Sequence, residues 1–236
     1  MTRAAAWLLA AGMASAQAQP LPQADIAAAT QAVVAQSNAF RQQMERPQLQ
    51  EEPRLARAAR EFARYMARTG RYGHEADGRE PPQRAGAQGY DYCIVLENIA
   101  YYYDSRGFDT ARLAQRVVEG WKRSPAHREN LLNAGVTHVG VGLAHSEATG
   151  YYYAVQMLGL PRAASVSFEV RNESQHDVRY DVGGKAYTAP ARSIRTHEVC
   201  GREALRFERP AGSFEPRSGD RFVIAPQGNR ISVQRR

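Results

Sequence analysis

The 236-residue sequence predicts an α+β domain followed by a small all-β unit, and three observations carry that reading. Three stretches repeat apolar residues at helical spacing, and two β-prone runs joined by a polar, Gly-containing turn come after them. Past Leu160 and Pro161 the chain breaks into short β-prone runs separated by turn signals.

The elements follow in chain order. The opening MTRAAAWLLAAGMASAQAQP has one arginine, a short apolar run and A-x-A-like sites at Ala14/Ala16 and Ala16/Ala18, so residues 1–18 read as a secretory signal peptide. The mature chain is expected to start near Gln19, and no later stretch is apolar for long enough to cross a bilayer. Residues 24–45 place Val33, Ser37, Phe40 and Met44 on one helical face. Residues 53–69 place Leu55, Ala59, Phe62 and Met66 inward, with Arg57, Glu61, Arg64 and Arg68 outward. Gly70 ends that helix, and "RYGHEADG" with the Gly/Pro-rich stretch through Pro81 and Pro82 reads as loop, leaving His74 just past a helix end.

Residues 108–123 form a third helix with Leu113, Val117, Val118 and Trp121 inward. "SPAHREN" then reads as a new helix start: Ser124 can cap free N–H groups, Pro125 suits the first position, and His127 falls in the first turn. The positive end of a helix disfavours imidazolium there and keeps a lone pair available. "VTHVGVGLAH" and "YYYAVQMLG" form a hairpin. From residue 163 the runs "VSFEV", "VRYDV", "KAYTA", "LRFE", "RFVIA" and "RISVQ" make the β unit, with Gly183-Gly184 and "PQGN" as hairpin turns. His176 and His197 in it read as ordinary surface or core residues, and His138 and His145 as edge residues of the hairpin.

A net charge of +7 comes from 31 basic and 24 acidic residues. Only Lys122 and Lys185 are lysines, and the arginines are scattered among acidic neighbours rather than gathered in a block, so nucleic acid is not an expected partner. Attraction to anionic envelope polymers or lipid headgroups suits the charge, and a simple Arg/Ala compositional bias without function is the preferred reading of it. Cys93 and Cys200 are an even pair in an exported chain, which favours a disulfide stapling the first half to the last; two separate buried thiols are the alternative.

The ordered set "NAFR", "PQLQ", "LARAAREFARYMA", "YGHEADG", "GYDYCIVLENIA", "EGWKRSPAHRENLL", "HVGVGLA" and "YYYAVQMLG" resembles the bacterial, SCP-like branch of the CAP superfamily, which takes in cysteine-rich secretory, antigen 5 and pathogenesis-related 1 proteins. The resemblance runs over about residues 30–160. It implies a three-layer α-β-α sandwich over residues 24–161, with the all-β unit over 163–236. It also implies a cleft gathering two histidines and two acidic residues, matched here by His74, Glu97 and His127. The fourth position departs from the pattern: Ser124 stands where eukaryotic relatives carry a glutamate. Glu119 lies on the Arg112/Arg116/Arg123 stripe, away from the inward face, and reads as a solvated ion-pair residue.

Two imidazoles with one carboxylate are ligand types for Zn²⁺, which makes His74 and His127, with Glu97 near, the candidate metal ligands. A polar clasp in which His127 hydrogen-bonds to Glu97 needs no metal. The triplets Tyr101–Tyr103 and Tyr151–Tyr153 sit at the ends of β-prone runs and read first as strand residues, with the outward ring of each free to touch a sugar or a headgroup. The expected function is therefore that of an exported, monomeric, secreted or periplasmic binding protein. Its cleft of His74, Glu97, Ser124 and His127 would take a lipid, a cell-wall glycan or a divalent metal. One alternative is a hydrolase in which a metal on His74 and His127 activates water and Glu97 is the general base. Another is an envelope scaffold or adhesion protein acting through residues 163–236.

Overall fold

A computed structural model describes residues 21–201, 203–228 and 230–236. The expected leader therefore lies outside the described residues. The chain runs as α1 (Ile26–Gln43), β1 (Gln50–Glu51), α2 (Pro53–Thr69), α3 (Pro81–Ala87), β2 (Tyr92–Tyr102), α4 (Thr110–Arg123), α5 (Pro125–Leu132), β3 (His138–His145) and β4 (Tyr152–Pro161). A β-rich C-terminal region follows: β5 (Val166–Asn172), β6 (Val178–Val182), β7 (Lys185–Ala189), β8 (Ile194–Val199), β9 (Leu205–Phe207), β10 (Gly212–Phe214), β11 (Arg221–Gln227) and β12 (Arg230–Arg235).

The first nine elements make the expected α-β-α layering. The central sheet has the order β1-β3-β4-β2, with β1 parallel to β3 and the other pairs antiparallel. Side chains of a strand alternate between faces, and β4 shows both. Tyr152, Ala154 and Leu158 enter a core with α1, α4 and α5, while Tyr153, Val155 and Met157 enter one with α2. The glycines of "VGVG" serve that second face: a Cβ on Gly140 would strike the backbone of Leu55 and Ala56, and one on Gly142 the backbone of Ala59 and Arg60. Helix α2 thus lies directly on β3.

Helix boundaries follow from their caps. Asp25 accepts from the N–H groups of Ala27 and Ala28, Asp109 accepts from Arg112 N–H, and Gly70 closes α2 in the left-handed conformation at φ 71°. Helix α3 lies where the sequence reads as loop. Glu80 and Gln83 form a capping box and Pro81 and Pro82 open the helix, so prolines taken as helix breakers act here as starters. Ser124 begins α5 but makes no cap hydrogen bond with its side chain, contrary to the expectation for "SPAHREN".

In the C-terminal region two four-stranded sheets, β10-β9-β6-β7 and β12-β11-β5-β8, face each other over a core. Phe168, Val170, Phe222 and Ile224 contribute from one side, and Val178, Tyr180, Leu205 and Phe207 from the other. Gly183-Gly184 turns β6 into β7 as expected, and β11 and β12 pair up to Gln227 and Arg230 across the second expected turn. His197 is a core residue, its Nε2 2.8 Å from the Tyr180 hydroxyl and its ring stacked on Phe168. Cys93 of β2 and Cys200 after β8 are disulfide-bonded. Beside that bond Arg162 reaches both Asp91 (3.4 Å) and Glu198 (3.5 Å). No helix among the described residues is long and apolar enough to cross a membrane.

Candidate functional site

Strand β2 is an edge strand of the central sheet, so groups from both helical layers can reach around it. Its register sets the site. Glu97 shares a face with Ile99, which enters the α2 core, and Asn98 points to the opposite face, toward α1 and α5. Glu97 is held from the α3 side. The Arg84 Nη2 donates to both Glu97 carboxylate oxygens at 2.9 and 2.8 Å, and His74 Nδ1 lies 2.9 Å from Oε1. The Glu97 and Arg84 side chains are 1% and 4% exposed, whereas His74 is half exposed.

Arg84 is the organiser that the sequence reading missed. Its Nη2 also donates to the His74 carbonyl at 2.7 Å, and its Nη1 donates to Asp77 Oδ1 at 2.7 Å and to the Arg79 carbonyl at 2.5 Å. The guanidinium lies 3.7 Å from the Phe62 ring centroid, a cation–π contact, and its Nε is the one guanidinium nitrogen left without a partner. One buried side chain thereby fixes the whole His74 loop to the sheet.

His127 comes from the other layer. Its carbonyl accepts from Asn98 Nδ2 at 3.2 Å, and Asn98 continues into Gln156 (3.0 Å), which donates to Ser37 (3.1 Å). Asn130, one turn on, donates to the Glu97 carbonyl at 3.2 Å and to Asn98 Oδ1 at 2.9 Å. The far end of α5 is braced by the buried Arg41, which donates to the Leu131 and Asn133 carbonyls. Burial first, and then the charge of His74, hold the His127 imidazole below the ordinary histidine value. The expected direction is therefore found, with burial rather than the helix end as its main cause. The clasp expected between His127 and Glu97 is made by His74 instead.

Ser124 stands at the junction of α4 and α5, and no hydrogen bond links it to Glu97 or either histidine among the described residues. Glu119 pairs with Lys122 at 2.5 Å rather than with the arginine stripe.

Beside His74 runs a row of tyrosines. Tyr72 meets Tyr101 edge-on at 4.6 Å, Tyr101 meets Tyr151 at 5.5 Å, and Tyr151 meets Tyr103 at 5.4 Å. Tyr72, Tyr101 and Tyr103 are 45%, 48% and 56% exposed, whereas Tyr152 and Tyr153 are buried. Each triplet thus divides between core and surface. Partial burial, with Tyr101, Tyr102 and Glu97 adding, pushes the Tyr72 phenol up to about 12.

Among the described residues no group of three or more His, Cys, Asp or Glu is set to hold a metal. The donor set explains why Zn²⁺ fits poorly. Both Glu97 oxygens are taken by a guanidinium whose charge repels a second cation, so Glu97 is not placed as a third ligand, and only His74 Nε2 and the His127 imidazole remain as donors. The same pairing commits Glu97 to a guanidinium on both oxygens, so in the described structure it is an ion-pair partner.

The sequence profile of the cysteine-rich secretory protein family (CAP) matches residues 34–158. The uncharacterized protein YkwD of Bacillus subtilis is 31% identical over 128 residues, which are 54% of this chain and 46% of that protein. The chain therefore spans about half the length of that curated relative. Among solved structures, an outer surface protein from Borrelia burgdorferi superposes with a TM-score of 0.50 at 20% identity, covering 56% of this chain and 92% of that one. An extracellular protein containing a SCP domain from Bacillus anthracis gives 0.48 at 21% identity, over 57% and 41% of the two chains.

Proposed function

We propose, from the premise that this chain belongs to the cysteine-rich secretory protein (CAP) family, that it is an exported binding protein whose CAP domain takes a glycan of the bacterial cell-wall kind beside His74. The carrying observation is the row Tyr72, Tyr101, Tyr151 and Tyr103, whose rings touch one another and open to solvent next to a histidine anchored by a buried carboxylate. Aromatic faces offer flat apolar area while their hydroxyls hydrogen-bond, which matches the two sides of a sugar ring. His74 and His127 supply polar contacts at the end of the row, and Glu97 with Arg84 is the mount that holds His74 in place.

Export rests on the leader-like residues 1–18 and on the disulfide, which persists in oxidising compartments. The division into a CAP domain over 24–161 and a β unit over 163–236 is supported by a third apolar cluster drawn wholly from residues after 165. The binding reading is preferred to a hydrolase because Arg84 occupies Glu97.

Calorimetric titration with chitohexaose, beside a pull-down on insoluble peptidoglycan, tests the proposal. The expected result is saturable binding that weakens about tenfold or more in Tyr101→Ala and in Tyr103→Ala, since each ring contributes on the order of 1.4 kcal/mol when it stacks. Equal affinity in those variants, or no binding to either probe, overturns it. Stoichiometric Zn²⁺ uptake lost in both His74→Ala and His127→Ala would also overturn it, in favour of a metal site.

A further inference from the structure

A cleft of about 1140 Å³ lies outside the CAP fold, at one end of the β-rich C-terminal region. The β5–β6 connection, the β9–β10 connection and the facing ends of β11 and β12 line it. Arg179 comes from the start of β6, Arg209 from the β9–β10 connection and Arg230 from the start of β12, and the β5–β6 connection adds His176. All four are solvent-exposed.

What sets these three arginines apart is that they line one cleft, since Arg192, Arg195, Arg217 and Arg221 also make no ion pair among the described residues. Arg206 and Arg235 are ion-paired with Asp181 and Asp220, and Arg171 with Glu169. No ion pair is made by Arg179, Arg209 or Arg230 among the described residues. Two carboxylates also line the cleft, Asp177 and Glu208, but Asp177 Oδ1 is engaged by the Ala191 N–H at 3.0 Å. Three arginines therefore line one concave surface together with two carboxylates, leaving a formal excess of one positive charge there.

The wall is built rather than loose. Asn172, buried at the base of the β5–β6 loop, donates from Nδ2 to the carbonyls of His176 (2.8 Å), Ala189 (2.9 Å) and Pro190 (3.0 Å). Its Oδ1 accepts from the N–H and the hydroxyl of the equally buried Ser174, at 3.0 and 2.7 Å. The Glu173 N–H crosses to the Ile224 carbonyl at 2.8 Å. A loop satisfied this completely holds His176 and its neighbours in place before a ligand arrives, so less ordering entropy is lost on binding.

We propose that this cleft is a phosphate-ester site, in which Arg179, Arg209 and Arg230 grip the phosphate oxygens and Glu208 accepts hydroxyl groups of the esterified alcohol. Guanidinium forks match phosphate oxygens in pairs, which separates this arrangement from a diffuse positive surface. A free or polymer-borne sugar or polyol phosphate and a phosphatidylglycerol headgroup share that chemistry. The site is separate from the His74 cleft, and its fate is independent of the glycan reading.

The test uses the oxidised full chain, with glycerol 1-phosphate as the calorimetric probe and co-sedimentation with phosphatidylglycerol/phosphatidylcholine vesicles against pure phosphatidylcholine. The cleft variant is Arg179→Gln with Arg230→Gln. The charge-matched control is Arg123→Gln with Arg128→Gln, two exposed or half-exposed arginines beside α5. Expected is saturable glycerol phosphate binding, weakened about tenfold or more in the cleft variant and less than about twofold in the control. Vesicle capture that depends on the same arginines assigns the phosphate to a lipid. Glycerol phosphate binding without vesicle capture assigns it to a soluble or polymer-borne ester. Either outcome supports the site. Equal loss in both double variants shows diffuse attraction and overturns the proposal, as does the absence of saturable binding at about 20 mM probe.

Discussion

Removing Arg84 tests whether the His74 loop is held by one buried ion pair. In Arg84→Met the apolar stem can still lie over Phe62, but Glu97, whose side chain is 1% exposed, loses the guanidinium that bonds both its oxygens. Stripping one partner from a buried pair costs about 3–5 kcal/mol, because an uncompensated charge remains in a poorly solvated place. Against a domain stability on the order of 5–15 kcal/mol, that loss brings the fold close to its limit. The carbonyls of His74 and Arg79 lose this donor as well, and Asp77 keeps only the Arg79 N–H on Oδ1. Urea unfolding at neutral pH should show the deficit as a large fall in midpoint. Glu97→Gln alone should cost less, and the double variant should cost less than the sum of the two singles by at least about 1.5 kcal/mol. A deficit in Arg84→Met below about 1 kcal/mol, or coupling near zero, would mean that the pair acts like an exposed one and would refute the argument.

Three further outcomes follow from the packing. Gly142→Ala puts a methyl against the backbone of Ala59 and Arg60, so it should lower stability by about 1–3 kcal/mol in a thermal melt, whereas a mild effect would mean that α2 can lift off β3. Reducing Cys93–Cys200, which are 107 residues apart, should lower stability by up to about 4.7 kcal/mol from freed chain entropy, read as a shift of the melting temperature with dithiothreitol. Burial first, and then Arg195, depress His197, so the unfolded chain takes up a proton before the folded one does. Its stability contribution is thus full above the unfolded value of 6.5 and lost as pH falls below it. His197→Phe should flatten that part of the stability–pH curve, and an unchanged slope would remove His197 as its cause.

Much of the fold was legible because periodicity and turn chemistry report what each residue needs locally. Leu55, Ala59, Phe62 and Met66 mark the buried face of α2 at both its ends, and Gly70 marks its stop. The Gly183-Gly184 turn is equally local. The failures occur where local cues had two readings. Pro81 and Pro82 break a helix in its interior but start one at its first turn, and the cue that decides is the Glu80/Gln83 capping box. Ser124 has the composition of a capping residue without using it. Strands β8 and β10 escape because "IRTHEV" is largely polar and exposed and "GSF" is three residues long.

The site divides along the same line. His74, Glu97 and His127 were reachable through the family resemblance, since "YGH", "LEN" and "SPAHREN" are weak alone and become informative through the order and spacing of the whole set. Arg84 was not, because nothing in "PPQRAGA" separates it from the other arginines of this arginine-rich chain. Its role exists only in three dimensions, where α3 sets it between Phe62 and the face of β2 that carries Glu97. That placement changes the chemistry read from the motifs. A carboxylate near two imidazoles suggests a metal or a base, whereas one already bonded by a buried guanidinium is a mount for His74. The same logic separates the arginines of the C-terminal region, since composition counts them alike and only the fold shows which have carboxylate partners. Function in this chain is therefore written less in which charged residues are present than in which of them the fold leaves unpaired.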